Sequence, residues 1–443
     1  MRRSVQFHVL AAVALLFTTL SMACLRTTAP DDPPPSNAAP DGPDAEVRDY
    51  RLRELAARVS TMPPGIDRDY FAGIVASRSA RADEAVSLLK KVLPALHQKE
   101  PRRTAIALEA LADTYAATYR YRDAALIYED LLPLQSYLAQ PVDDDAALAR
   151  ILAGAPEQTV SWTGPVRVNT SRNPIGSVNA EFAVNGSPVT WLLDTGANYS
   201  VVSRTVAQKL GLTPLPGAAS LGAGVTGLKS SMEVAVVPSV ELGGATVHNV
   251  VTMIVEDSNL QLGPDGKAYQ IDAILGLPVL RALGRVTFIR KGEFLAGEAA
   301  GPSEGGVPIF MRGQTPAIEC EVAGEPLLFT FDTGASGTDF SVRYYERFRQ
   351  LASSWRTRTV ESGGAGGTVR RQMFVQPQVE LMVGGADVSL RDVTIFSTNM
   401  NAGIDVLFGN LGQDFVEGFD SFTLDFSTMT FRLGVATAPP SGR

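Results

Sequence analysis

Trp191-Leu192-Leu193-Asp194-Thr195-Gly196-Ala197 and Phe329-Thr330-Phe331-Asp332-Thr333-Gly334-Ala335 are two versions of one segment, an apolar strand running into Asp-Thr-Gly-Ala. The two Asp residues lie 138 residues apart. A single copy would carry little weight, but two in the same local context place two carboxylates at matched points of a repeated fold. If the repeats meet about a pseudo-twofold axis, like charge forces the carboxylates to share one proton, and such a pair can act as both acid and base.

The surroundings repeat as well. Glu181-Phe182-Ala183-Val184-Asn185-Gly186 enters a hairpin turn 8 residues before Asp194, and Glu319-Cys320-Glu321-Val322-Ala323-Gly324 does so 8 residues before Asp332. Val240-Glu241-Leu242 begins 46 residues after the first Asp, and Val379-Glu380-Leu381 begins 47 after the second. Gly276, ending Ile274-Leu275-Gly276, follows Asp194 by 82, and Gly409, ending Leu407-Phe408-Gly409, follows Asp332 by 77. Beyond Gly164 apolar residues alternate with polar ones between glycine-rich turns, and few helical stretches exceed Val201–Leu210 and Val342–Leu351. This predicts an all-β region of two lobes, residues 165–295 and 305–435.

A chain of 443 residues predicts two or three compact units. Its 45% hydrophobic and 19% charged residues are globular proportions, and a net charge of -8, spread along the chain, leaves no basic footprint for nucleic acid. Residues 1–24 read as a signal peptide: Arg2 and Arg3 precede the apolar run Val9–Phe17, and Ser21-Met22-Ala23 puts small residues before Cys24. That run is too short to span a bilayer as a mature helix, and no later segment is long enough. Leu20-Ser21-Met22-Ala23-Cys24 resembles a bacterial lipobox with its Leu one place early, so Cys24 is either a lipid-bearing terminus or incidental to ordinary cleavage. Residues 25–45, with Pro33-Pro34-Pro35, read as a disordered tether. An exported protein, periplasmic and either lipid-anchored or soluble, is expected.

Residues 46–155 change to Ala, Leu, Arg and Glu with apolar residues at helical spacing. Leu108, Leu111, Ala112, Tyr115, Ala124, Tyr128 and Leu131 resemble the tetratricopeptide helix-turn-helix pattern, and Gly73, Ala76, Ala85, Leu89 and Val92 repeat it imperfectly. Such an α-helical unit serves either to bind a protein partner or as a packing spacer.

The β region resembles the aspartic peptidases, and within them the retropepsin-like branch, since Ala197 and Ala335 stand where pepsins have Ser or Thr. The resemblance spans residues 165–435 and implies a bilobal acid-protease fold, with the site assembled inside one chain as a catalytic monomer. It makes Asp194 and Asp332 the catalytic pair, Thr195 and Thr333 the hydrogen bonds that lock the loops, and Gly196 and Gly334 the tight turns. Gly276 and Gly409 would belong to the ψ-shaped loops beneath. Gly276-Leu277-Pro278 departs from the retroviral pattern, which has a polar residue and a bracing arginine there, while Gly409-Asn410 stays nearer to it. Gly222, Gly224 and Gly227 after the first Asp, and Gly364 and Gly366 after the second, fall where two flaps would close on an extended peptide.

Competing chemistries lack residues. The histidines are His8, His97 and His248, too scattered for a metal site or a Ser/His/Asp triad, and no cofactor is indicated. Cys320 reads as a small buried side chain. The expected function is an aspartic endopeptidase acting on peptide or protein. The alternatives are a catalytically inactive peptide-binding module and a scaffold lipoprotein acting through its helices.

Overall fold

The structure, a computed structural model, describes residues 10–11, 42–97, 99–217, 219–223, 228–262, 269–300, 305–364, 367–398 and 406–437. Cys24, Gly224, Gly227 and Gly366 lie outside the described residues, as does nearly all of the signal and tether. Among the described residues no helix is long and apolar enough to cross a membrane.

The N-terminal region is helical: α1 (Pro43–Arg48), α2 (Leu52–Thr61), α3 (Ile66–Arg78), α4 (Ala82–Leu96), α5 (Pro101–Ala117), α6 (Tyr121–Leu131) and α7 (Asp143–Leu152). The first helix starts inside the expected tether, because Pro43 at its first turn presets φ and Asp44 and Glu46 complement the dipole. The apolar positions of the repeat pattern form the core of this region, with Leu108, Leu111, Ala112, Tyr115, Ala124, Tyr128 and Leu131 all buried. Gly73 lets α3 and α4 approach closely, since a Cβ there would lie 2.7 Å from Leu89 Cδ2.

The β-rich region opens at Thr159–Trp162, ahead of the expected boundary, by pairing with Ala245–Val255. Hairpin Val178–Val184/Ser187–Leu193 leads into Asp194, and hairpin Thr315–Val322/Glu325–Phe331 leads into Asp332. Each strand before an Asp is flanked by a parallel partner: Leu193 pairs with Leu275, and Phe331 pairs with Leu411. That register corrects one expectation. Gly412, not Gly409, occupies the place of Gly276, and the backbone N–H of Asp194 and Asp332 donates to Leu275 and Leu411 O at 3.0 and 2.9 Å. Gly409 instead sits three residues earlier, where its Cβ would lie 2.4 Å from Asp339 O. A second difference concerns Val201–Ser203, which is strand rather than helix, with the helix limited to Arg204–Lys209. The expected helix over Val342–Leu351 is present as α-helix Val342–Arg347 followed by 3-10 turns over Arg349–Ser354.

Six antiparallel strands tie the halves together, in the order Val166–Arg172, Glu293–Ala296, Arg285–Ile289, Ser421–Asp425, Thr430–Leu433, Val307–Arg312. At its centre Phe288 stacks on Phe422 at 4.7 Å, and Thr287 Oγ1 meets Thr423 Oγ1 at 2.8 Å. The helical region docks on this body. Tyr121, Leu148 and Leu152 join a buried apolar cluster with Leu192, Val201, Met253 and Ile274, while Tyr119 Oη and Gln158 Nε2 donate to Pro278 O at 2.8 and 3.0 Å.

Candidate active site

Asp194 and Asp332 sit at the ends of the two parallel-flanked strands and are fully buried. Their loops hold them in the same way. Gly196 N and Ala197 N donate to Asp194 Oδ1 at 2.8 and 3.2 Å, and Gly334 N and Ala335 N to Asp332 Oδ1 at 2.8 and 3.1 Å. The threonines cross over: Thr195 Oγ1 donates to Phe331 O and Thr333 Oγ1 to Leu193 O, both at 2.8 Å. Each hydroxyl also accepts the backbone N–H of the other threonine at 3.0 Å. Four reciprocal bonds thus link residues 136 to 140 apart in the chain and set the carboxylates face to face.

The glycines show how close that approach is. A Cβ on Gly196 would lie 2.4 Å from Asp332 Cγ, and one on Gly334 would lie 2.5 Å from Asp194 Cγ. No side chain fits between a loop and the opposite carboxylate.

The two environments differ in one respect. Asn410 Nδ2 donates to Asp332 Oδ2 at 3.4 Å, whereas no protein donor among the described residues reaches the buried Asp194 Oδ2, whose hydrogen-bond neighbour is the Asp332 side chain. Burial, the charge of Asp332 and that hydrogen bond hold the Asp194 carboxyl well above the usual carboxylate range. Burial raises Asp332 too, but the bonds from Asp194, Gly334, Ala335 and Asn410 oppose the rise. Both carboxyls are raised by burial, and like charge makes the pair hold one proton between them. Such a pair can take a proton from water with one member and give a proton to a carbonyl with the other.

Supporting residues escaped the reading of the sequence. Gln413 Nε2 donates to Thr333 O at 2.7 Å, Ser177 Oγ to Gly334 O at 3.0 Å, and Asp414 receives Thr338 Oγ1 and N at 2.6 and 2.9 Å. Gln413 and Asp414 follow Gly412 as Leu277 and Pro278 follow Gly276, so polar residues stand after the glycine in the second half where apolar ones stand in the first, and neither half has an arginine there. An offset of 80 from Asp332 to Gly412, against 82 in the first half, was the available signal.

Gly222 lies in the hairpin Ala219–Ala223/Leu228–Glu241, paired with Lys229, and Gly364 pairs with Gly367 at the end of hairpin Arg356–Gly364/Gly367–Val383. Cys320 is fully buried and burial pushes its thiol up, as suits a packed side chain and not a nucleophile.

Residues 180–279 match the model of a family described as aspartyl protease, and over that stretch the chain carries an aspartic protease domain. The match takes in Asp194 and ends just beyond Pro278. No curated protein matches the chain.

Proposed function

We propose that this protein is an aspartic endopeptidase built from two retropepsin-like lobes in one chain, hydrolysing peptide bonds with water activated between Asp194 and Asp332. The observation that carries this reading is the reciprocal threonine lock, which turns both carboxylates toward each other with one oxygen satisfied only by a shared proton. Asp332, ionised, draws a proton from the attacking water while Asp194 gives its proton to the substrate carbonyl. The water oxygen bonds to the carbonyl carbon, and the resulting gem-diol collapses as the C–N bond breaks, the proton on Asp332 passes to the leaving amine and a hydroxyl proton of the diol returns to Asp194. The two hairpins carrying Gly222 and Gly364 serve as paired covers that bond to the backbone of an extended peptide. The helical region is read as tetratricopeptide-like and as a docking unit for a protein partner. The chain is read as exported and held on the periplasmic side by lipid on Cys24.

Digestion of a diverse peptide library tests the assignment. Asp194→Asn and Asp332→Asn are each expected to stay folded and to lose on the order of 10³-fold or more in activity, and a statine-type analogue is expected to block the wild type. Wild type and both variants treating the library identically would sink the proposal, and unchanged peptide affinity in all three without cleavage would mark a binding module.

A further inference from the structure

Strand register sets a row of four residues beside each Asp. In the first half Leu192 pairs with Ile274, Ile274 with Val201, and Val201 with Met253. In the second half Thr330 pairs with Asn410, Asn410 with Asp339, and Asp339 with Thr394. Residues paired across strands share a face of the sheet, so each row is continuous. Each begins two residues before its Asp and runs out to the strand of the covering hairpin, where Met253 meets Val234 and Thr394 meets Val375. The positions correspond one to one, yet every apolar residue of the first row is polar in the second.

The second row lies against the catalytic pair. Thr330 Oγ1 donates to Asn410 Oδ1 at 2.6 Å, and the Asn410 amide reaches Asp332. Phe340 packs into the core against Phe329 and Tyr344, which turns its neighbour Asp339 to the face of Asn410. Asp339 is 4% exposed and Thr394 2%. Thr394 Oγ1 has no hydrogen-bond partner, and what acts on the Asp339 carboxyl is burial and the charges of two further acids. The charged groups facing Asp339 are both acids: Asp332, and Asp414 held by Thr338. A buried carboxyl is costly to a fold, and the corresponding Val201 shows that the architecture does not need one.

We propose that Thr330, Asn410, Asp339 and Thr394 form a polar subsite that receives a lysine or arginine side chain of the substrate, with Asp339 as its counter-ion. The first row is buried in one apolar cluster with Tyr121, Leu148 and Leu152 of the helical region, so the side-chain preference is set by the second row. This rests on the protease reading above and names the substrate class it would take. Burial and the charges of Asp332 and Asp414 hold the Asp339 carboxyl up at about 8, so at lower pH docking of the cation displaces its proton to solvent.

Statine-centred peptides, which bind without being cleaved, test the subsite independently of catalysis. Pairs differing only in lysine or norleucine at successive positions around the statine are titrated calorimetrically against wild type, Asp339→Asn and Asp339→Val. At one position lysine is expected to bind wild type at least about tenfold tighter, a preference lost in Asp339→Asn and reversed in Asp339→Val. At pH 6 the lysine peptide is also expected to release about one proton on binding wild type, read from the buffer dependence of the heat, a measurement that needs no variant. Equal lysine-to-norleucine ratios in wild type and Asp339→Asn at every position, no proton release, or no binding of any peptide would overturn the subsite. Hydrolysis of library peptides without the preference leaves the protease reading standing, and the preference without hydrolysis leaves only the subsite.

Discussion

At the scale of single residues, Thr195 and Thr333 carry the site. Each hydroxyl donates to a carbonyl and accepts an N–H from the opposite loop, all within the interior. Thr195→Val keeps the shape but leaves Thr333 N and Phe331 O without partners, which is expected to cost about 2–3 kcal/mol. Thr195→Ser is expected to cost far less, and urea midpoints of the two variants check this. The pH dependence follows from the carboxylates. Activity needs one proton on the pair, so it falls as pH rises through the upper pKa and both ionise, and falls again below the lower pKa as both protonate. Because burial raises both groups, that window moves upward from the ordinary aspartate range. Turnover is expected from weakly acidic to near-neutral pH, and a pH-rate profile peaking only near pH 2 would contradict it.

At the scale of elements, the hairpins that lead into Asp194 and Asp332 share a geometry but not a sequence. Asn185 and Gly186 take φ of 50° and 74°, a pairing suited to a two-residue turn of this hand. Ala323 and Gly324 take 51° and 81°, so an alanine occupies a left-handed position that its Cβ disfavours. Ala323→Asn is expected to stabilise the fold by about 1 kcal/mol, seen as a raised melting temperature with unchanged activity. The strands beneath the two Asp residues are asymmetric in another way. Gln413 and Asp414 brace the second active-site loop from within, whereas Leu277 and Pro278 cannot, and Pro278 O is instead bound by Tyr119 and Gln158.

At the scale of the molecule, that exchange joins the helical region to the protease domain. Tyr121, Leu148 and Leu152 fill an apolar cluster whose other members are strand residues around Asp194. A second contact sets Leu52 among Phe310, Ala317, Leu328 and Leu407, with Arg53 3.1 Å from Glu319. Removing residues 43–152 is therefore expected to uncover this surface, lowering the melting temperature and raising binding of a hydrophobic dye. A truncated chain that melts with the full one would show the helices to be a mere appendage. The six-stranded sheet is made of strands of the β-rich region alone, and Phe310 of its last strand takes part in that second contact.

The repeated Asp-Thr-Gly-Ala, the hairpins before it and the helical periodicity ahead of it were legible from residue order alone, because each is a local pattern of turn chemistry and apolar spacing. So were the catalytic candidates, as a matching pair of loops. The correct partner of Gly276, the bracing by Gln413, the polar row through Asp339 and the docking of Tyr119 on Pro278 were not legible. They depend on strand register and on contacts between residues tens to hundreds of positions apart, which no local pattern encodes. The sequence determined that two carboxylates stand at equivalent points of a repeat. Only the tertiary structure decided that they face each other, because the reciprocal threonine bonds join two loops far apart in the chain.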